Sequence, residues 1–563
     1  MGGLVTKQRR GRLYGQKVLM VGAILVFFWL ALESMTQDSP TMDEQNHLAR
    51  GLAFLRTGDP RLSVEHPPLV NSLSALPVLL LPDVRLPLDH PSWEAEQGWY
   101  QFADLLLWEY NHDVTRMIFL ARLPVVFLTL GLALIGFRLA GMVWGRETAV
   151  FPFLFLLFDP NILAHGRYVT TDVGGTTFLM LAVLAVWWMW QTDSPSFRQW
   201  LVVGVSLGLA FGSKLSTLAF VPILALAALW PINGRFEVRT VWRRWGLLGT
   251  AVIPALIVVW IIFGFQWGTF HFRSDQLAHL NRFAGPMPTF WAGIEQILFI
   301  SSGGRPAFLL GQFSNEGFPL YFPVAFLVKT PLALLLALPV AVISLWQRKE
   351  TRPIVLFLLT PPVIYLVLSM QSALNIGYRH LLPMLPFLWV LVAGMARRGQ
   401  RLWWVPWLVV AGLWLADAGI HPHYLSYFNM AAGGPENGRN ILVDSNIDWG
   451  QDLIRLKQWM AANGVERVKL AWFGTAVPEY YHIQYDPLPG FPRHPFYGLW
   501  TAPPFNPAQP EPGIYAISVT NLWELPLADK YVYAWFRARP PDDRVGYSIL
   551  IYYVPSPAAT TSK

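Results

Sequence analysis

The chain has 563 residues, 54% of them hydrophobic and only 14% charged, with no cysteine and a net charge of +7. A soluble globular domain carries about 25% charged residues, so most of this chain needs a solvent that does not reward charge, which is lipid. The missing cysteines exclude disulfides, thiolate zinc sites and a cysteine nucleophile; the basic residues fall in short clusters between apolar spans, so they answer to orientation in a bilayer and not to nucleic acid.

At the N-terminus Lys7, Arg9, Arg10, Arg12 and Lys17 precede an apolar run. The ESMTQDSP that follows offers no small-residue cleavage site, so the run reads as a retained anchor. Apolar windows of spanning length recur at 13–35, 115–141, 147–164, 172–190, 199–213, 215–231, 246–265, 320–346, 353–370, 380–396 and 403–420. They predict a polytopic α-helical membrane protein with about eleven transmembrane helices over 1–420. The pair around 199–231 is short, with Lys214 between its halves.

Charge sets the sidedness. With the N-terminus cytoplasmic, the inside loops are 144–146, 191–199, 231–244, 347–352 and 396–401, and four of the five carry a Lys/Arg excess. The third holds Arg235, Arg239, Arg243 and Arg244. This is the positive-inside pattern; the membrane expected is the plasma (inner) membrane, and three large pieces lie outside: 36–114, 266–319 and 421–563. In the last, turn clusters (GGPENGRN, PLPGFPRHP, PPFNPAQPEPG) separate β-type runs (VKLAWF, GIYAISV, YSILIYYV), which predicts a small extracytoplasmic α/β domain.

The first outside loop carries an adjacent carboxylate pair, Asp43 and Glu44. Thr41 and Glu44 fit a capping box for a helix toward Leu55, which Gly58 and Pro60 then end. The two roles are compatible: Glu44 caps while Asp43 faces a cleft as a general base that takes a proton from an acceptor hydroxyl. His66 begins HPPL, where two prolines fix the backbone direction; beside a carboxylate site it is a candidate substrate or metal contact. Arg167 and Asp172, in GRYVTTD, lie between two closely spaced spans, where charge is costly unless paired or functional. They are expected to pair with each other or to line the same cleft as Asp43. Arg122, Lys214, Lys329, Arg379 and His380 sit within or at the ends of apolar runs. Snorkelling is the alternative for Lys329 and Arg122. Arg379 and Lys214 are the first candidates to receive a lipid phosphate, whose negative charge grows as it leaves a sugar. In NILVDSNIDWGQDL, Asp448 or Asn446 is expected to cap a helix, with Trp449 packing; the functional alternative is acceptor binding near the membrane surface.

These stretches resemble the GT-C superfamily of membrane glycosyltransferases. The resemblance is closest to glycosyltransferase family 39, which includes the protein O-mannosyltransferases, and extends to the lipid A aminoarabinose transferases. It rests on DE, a helix ending in GDP and HPPL in the first loop, then ARLP, GRYVTTD, GSKLS, YFPVAFLVKTPL, GYRHLLPMLPF and LVDSNIDWGQDL in order. It implies a GT-C fold and transfer of a sugar, mannose-like, from a polyprenyl-phosphate donor to an acceptor hydroxyl, with inversion. Asp43 is then the base and Glu44 its partner; Arg379, Lys214, Arg122, His380 and Lys329, by their positions in or beside apolar runs, are the candidates to bind the donor phosphate. His66, Arg167 and Asp172 line the cleft. The β-trefoil-like insertion of the eukaryotic members is absent, which leaves the acceptor open among protein, glycan and lipid. A divalent cation is also open, with His66, Glu44 and Asp172 as its ligand candidates. The competing readings are a transporter or flippase of a lipid-linked or polar solute, whose class also carries intramembrane charge, and a non-catalytic scaffold.

Overall fold

A computed structural model describes residues 2–95, 98–231, 236–490, 505–523 and 525–556, with side chains from Tyr14 onward. Arg235, the basic side chains of Lys7 to Arg12, and part of the turn clusters after Leu488 lie outside the described residues.

Every apolar window is helical, but they are not eleven unbroken helices. Among the described residues six helices are long and apolar enough to cross a membrane: Tyr14–Thr36, Val114–Val143, Thr171–Trp190, Val238–Ile262, Arg352–Ser369 and Tyr378–Ala396. The expected span 320–346 is instead a bent pair, Tyr321–Lys329 and Leu332–Trp346, meeting at 103°. Pro331 causes the break. It has no amide to donate and bars the α conformation from the residue before it, and Thr330 is extended at φ −68°, ψ 134°. The window 147–164 is likewise two short helices, Val150–Leu157 and Pro160–His165, parted where Asp159 caps the second through the amides of Asn161 and Ile162. Phe197–Phe211, Leu215–Ala227 and Val405–Ile420 are shorter apolar helices.

The first loop folds into Glu44–Thr57, Pro68–Ala75 and Trp99–Trp108. Gly58 closes the first of these in the left-handed conformation (φ 73°), its amide donating to the Phe54 carbonyl, as a C-terminal glycine is suited to do. The 266–319 region holds two small hairpins around the helix Pro288–Gly303.

Near the C-terminus a mixed five-stranded sheet runs Gln484–Pro487, Arg467–Ala471, Gly513–Ser518, Ile549–Val554, Asp543–Val545. The first three strands are parallel and the rest antiparallel. The helix Leu453–Ala462 buries Leu453, Leu456 and Met460 against Val468, Leu470, Ile549 and Ile551. The sheet's other face belongs to the main core: a single buried apolar cluster runs from Phe155 and Trp389 among the membrane helices to Tyr515, Ile517 and Tyr552.

That continuity positions the first loop. The Ser39 amide donates to the Gln451 carbonyl (3.0 Å) and the Met42 amide to the Trp449 carbonyl (2.9 Å). The Ser39 hydroxyl accepts from the Leu453 amide (3.1 Å) and donates to the Gly450 carbonyl (2.9 Å). Residues 39–42 are thus pinned by the 449–453 segment, and the carboxylate pair follows immediately.

Candidate functional site

The two adjacent carboxylates part company. Glu44 is fully buried. Its carboxylate accepts from the Thr41 amide (2.8 Å), closing half of the expected capping box, and from the Val169 amide (2.9 Å). Arg122 grips it at both oxygens (2.8 and 2.7 Å). Asp43 occupies the cap position of the same helix but makes no capping bond. Its side chain is 27% exposed and accepts from Arg379 Nη1 at 2.8 Å.

Asp43 opens into a cavity of about 770 Å³ that also bears His66, Asp172, Lys214, Arg379 and His380. Asp172 lies in the first turn of Thr171–Trp190, where a carboxylate suits the helix dipole. It pairs with Lys214 Nζ and stands 3.7 Å from Arg379. Lys214 reaches it because the facing residue is Gly175, where a Cβ would sit 2.9 Å from that of Lys214. Arg379 follows Gly377, where a Cβ would collide with the Ser445 hydroxyl at 2.2 Å. The Arg379 guanidinium lies over the Trp449 ring, 4.3 Å from its centroid, a cation–π contact that holds it toward the carboxylates.

Electrostatics keep the cavity carboxylate charged and the neighbouring imidazoles neutral. Burial pushes the Asp43 pKa up, but the surrounding basic groups, Arg379 foremost through its charge and its hydrogen bond, together reverse this and hold it below the usual carboxylate range. Burial lowers His47 to about 4 and drives His66 well below its ordinary value, helped there by His47. The two rings meet edge-on at 4.6 Å, with His47 Nδ1 on Asn71 Oδ1 (2.9 Å) and His66 Nδ1 on the Thr171 hydroxyl (3.3 Å).

Four expected site residues lie away from this cavity. Glu44 and Arg122 are spent on each other, and Arg122 also donates to the carbonyls of Met35, Asp38 and Ser39. Arg167 pairs not with Asp172 but with Asp38 (2.5 Å), a carboxylate that Arg455 also binds (2.7 Å). Burial raises the Asp38 pKa, and Arg167, Arg455 and Arg122 together reverse this and hold it at about 2. Lys329 is buried, so neither it nor Arg122 snorkels. Lys329 donates to the carbonyls of Leu425 (2.9 Å) and Asn446 beside the Pro331 break.

The expected helix cap also differs. Leu453–Ala462 begins after Asp452, without a side-chain cap bond. Asp448 accepts from the Thr520 amide (2.9 Å), and Asn446 accepts from the Tyr378 amide (2.9 Å), next to Arg379. Trp449 does pack, under Arg379.

His47, Arg50, Tyr100, Arg305 and Asp444 join the cavity unannounced. His47 was legible, since it stands four residues after Asp43, one helical turn on. Arg305 and Asp444 come from remote segments, and nothing local marks them. Among the described residues no three His, Asp or Glu side chains group so as to hold a metal ion. The suggested set of His66, Glu44 and Asp172 does not fit one, because Glu44 faces Arg122 and Asp172 faces Lys214.

Residues 114–263, about a quarter of the chain, match the family of dolichyl-phosphate-mannose-protein mannosyltransferases. The fold is that of the GT-C superfamily. The chain superposes on ArnT from Cupriavidus metallidurans bound to undecaprenyl phosphate with a TM-score of 0.50 and 13% identity, covering 95% of this chain and 97% of that one. The apo state of the same protein gives 0.49 at 13% identity, covering 96% and 98%. The oligosaccharyltransferase of Archaeoglobus fulgidus gives 0.42 at 13% identity, covering 80% of this chain and 58% of that one. No curated protein matches by sequence.

Proposed function

We propose that this membrane protein is a glycosyltransferase that moves a sugar from a polyprenyl phosphate to an acceptor hydroxyl. The donor enters sideways from the bilayer, and the reaction takes place at the extracytoplasmic face. The N-terminus lies in the cytoplasm, the membrane is the plasma membrane, and the segment after about 420 is outside. The observation that carries the reading is the meeting of one half-exposed carboxylate, Asp43, with two cations, Arg379 and Lys214, in a single cavity. The partial family match and the shared fold support it.

In this reaction the acceptor oxygen attacks the anomeric carbon opposite the phosphate, so the configuration inverts. Its proton passes to the Asp43 carboxylate. The carbon–oxygen bond to phosphate breaks, and its electron pair leaves with the polyprenyl phosphate. Arg379 and Lys214 hold the charge that develops there. These cations are engaged by Asp43 and Asp172. A phosphate that draws Arg379 away leaves Asp43 a stronger base at the moment it is needed. Mannose is the sugar the resemblance implies; the acceptor is a protein, glycan or lipid.

The test is to incubate the purified protein, in lipid nanodiscs, with radiolabelled polyprenyl-phosphate sugars and membrane extract, and to identify what becomes labelled. Wild type transfers label, and Asp43→Asn transfers it about 10²–10⁴-fold more slowly with an unchanged melting temperature. Full transfer by a normally folded Asp43→Asn overturns the assignment. Solute flux with no labelled product would favour a transporter instead.

A further inference from the structure

The stretch 443–452, VDSNIDWGQD, commits nearly all its polar side chains to the fold. The Ser445 hydroxyl donates to the Ile376 carbonyl. Asn446 donates to the Tyr321 hydroxyl and the Val443 carbonyl (both 2.9 Å) and accepts from the Tyr378 amide. Asp448 takes the Thr520 amide, and Gln451 takes the Trp449 amide (2.8 Å) while donating to the Ile447 carbonyl (3.0 Å). Asp452 accepts from the Ser548 hydroxyl (2.6 Å) and pairs with Arg455. Asp448, in the core, leaves its second oxygen without a partner among the described residues, and so does Asp444, but of the two only Asp444 lines the Asp43 cavity. The other Asp444 oxygen accepts from the adjacent Ser445 amide (2.5 Å).

Its backbone is also unusual, at φ 58°. Aspartate tolerates the left-handed region better than most residues, but glycine adopts it freely. The conformation is held from both sides. The Asp444 amide donates to the Thr520 hydroxyl (3.2 Å), and the Asp444 carbonyl accepts from the amides of Ile447 (2.9 Å) and Asp448 (3.0 Å). A turn this firmly held that still leaves one carboxylate oxygen uncommitted is the pattern of strain kept at a ligand site. The location is specific. Arg379 and Asp43 are near enough for their charges to act on Asp444. A sugar whose phosphate lies at Arg379, and whose anomeric carbon faces an acceptor on Asp43, has its ring hydroxyls within this part of the cavity.

We propose that Asp444 binds the transferred sugar, accepting hydrogen bonds from its ring hydroxyls and so distinguishing the glycosylated donor from the bare lipid phosphate. The inference rests on reading the cavity as a glycosyl-transfer site. A carboxylate suits the task because it only accepts, and hydroxyl donors to a charged acceptor make strong bonds.

The experiment uses the full-length protein in nanodiscs with two ligands. One is sugar-free polyprenyl phosphate, measured as an inhibitor. The other is the polyprenyl-phosphate sugar that wild type consumes from a panel bearing mannose, glucose, galactose or N-acetylglucosamine. Asp444→Ala raises KM for the glycosylated donor about 10–100-fold and leaves inhibition by polyprenyl phosphate within about twofold. Asp444→Gly, which frees the backbone of its left-handed constraint, shows the same split, and Asp444→Asn, which keeps one acceptor, is intermediate. If Asp444→Ala does not accumulate folded, the glycine and asparagine variants carry the test. Wild-type KM in those variants, or equal weakening of both ligands, overturns the proposal while leaving the transferase reading intact. A wild type that consumes no sugar in the panel removes both.

Discussion

Arg122 and Arg379 are both guanidiniums bound to a carboxylate of the same dipeptide, and they are put to opposite uses. Arg122 is sealed. Its three nitrogens reach both Glu44 oxygens and the carbonyls of Met35, Asp38 and Ser39 at 2.6–3.1 Å. Arg379 holds Asp43 by one nitrogen, stands off Asp172 at 3.7 Å and leaves its Nε without a partner among the described residues. The first arrangement has no capacity left for a ligand. The second has donors to spare and a cavity in front of them. Charge near a membrane helix end is therefore a poor guide to chemistry by itself; what separates the two sites is whether hydrogen-bonding capacity remains.

Removing the sealed cation should have the largest effect. Arg122→Ala leaves the buried Glu44 carboxylate without its charged partner, which costs about 3–5 kcal/mol out of a total of about 5–15 kcal/mol. The expected outcome is a sharp fall in melting temperature and in yield of folded protein, read by thermal unfolding in nanodiscs. Near-normal melting would mean that water or another group reaches Glu44. Arg379→Ala should invert the pattern. Asp43 is open to the cavity and can be hydrated, so melting shifts by only a few degrees. Transfer falls about 10²-fold, as when one donor to a developing anion is removed. Equal losses of stability in the two variants would erase the distinction.

Much of this was legible in the sequence. The apolar windows marked every membrane helix, because apolar runs bounded by charge have few other uses. Asp172, Lys214, Arg379 and His380 were legible as polar groups at span ends, and Asp43 and His66 as one acid of an adjacent carboxylate pair and a histidine before two prolines in the first outside loop. Arg122, Arg167 and Lys329 have the same local signature and satisfy it differently. Arg122 and Arg167 are claimed by Glu44 and Asp38, and Lys329 by two carbonyls, partners that only the folded chain brings near. The bend at Pro331 was visible as a proline, but not its angle, which depends on how Lys329 ties that corner to the 446 turn. Asp444 had no local signal, since its neighbours in the same stretch are just as polar and structurally engaged.

That stretch repeats the comparison on a smaller scale. Asp444 faces the cavity, and burial raises its pKa to about 6, against the pull of Arg379. Asp448, four residues on, is fully buried; burial pushes it to about 8, and one of its oxygens has no partner among the described residues. The folded protein thus holds a proton on Asp448 that the unfolded chain releases near its ordinary 3.8. Between those values the native state binds more protons, so this group's contribution to stability is full below about pH 4 and declines as pH rises toward 8. Asp448→Asn keeps an acceptor for the Thr520 amide and never ionises. Its melting temperature should match wild type near pH 4 and exceed it by a margin that widens up to pH 8, reaching a few degrees. The slope is bounded at about 1.4 kcal/mol per pH unit. For Asp444→Asn the margin should stop widening near pH 6. Parallel melting curves for Asp448→Asn and wild type across this range would mean that Asp448 is ionised in the fold, and that the wall behind Trp449 is wetter than its packing implies.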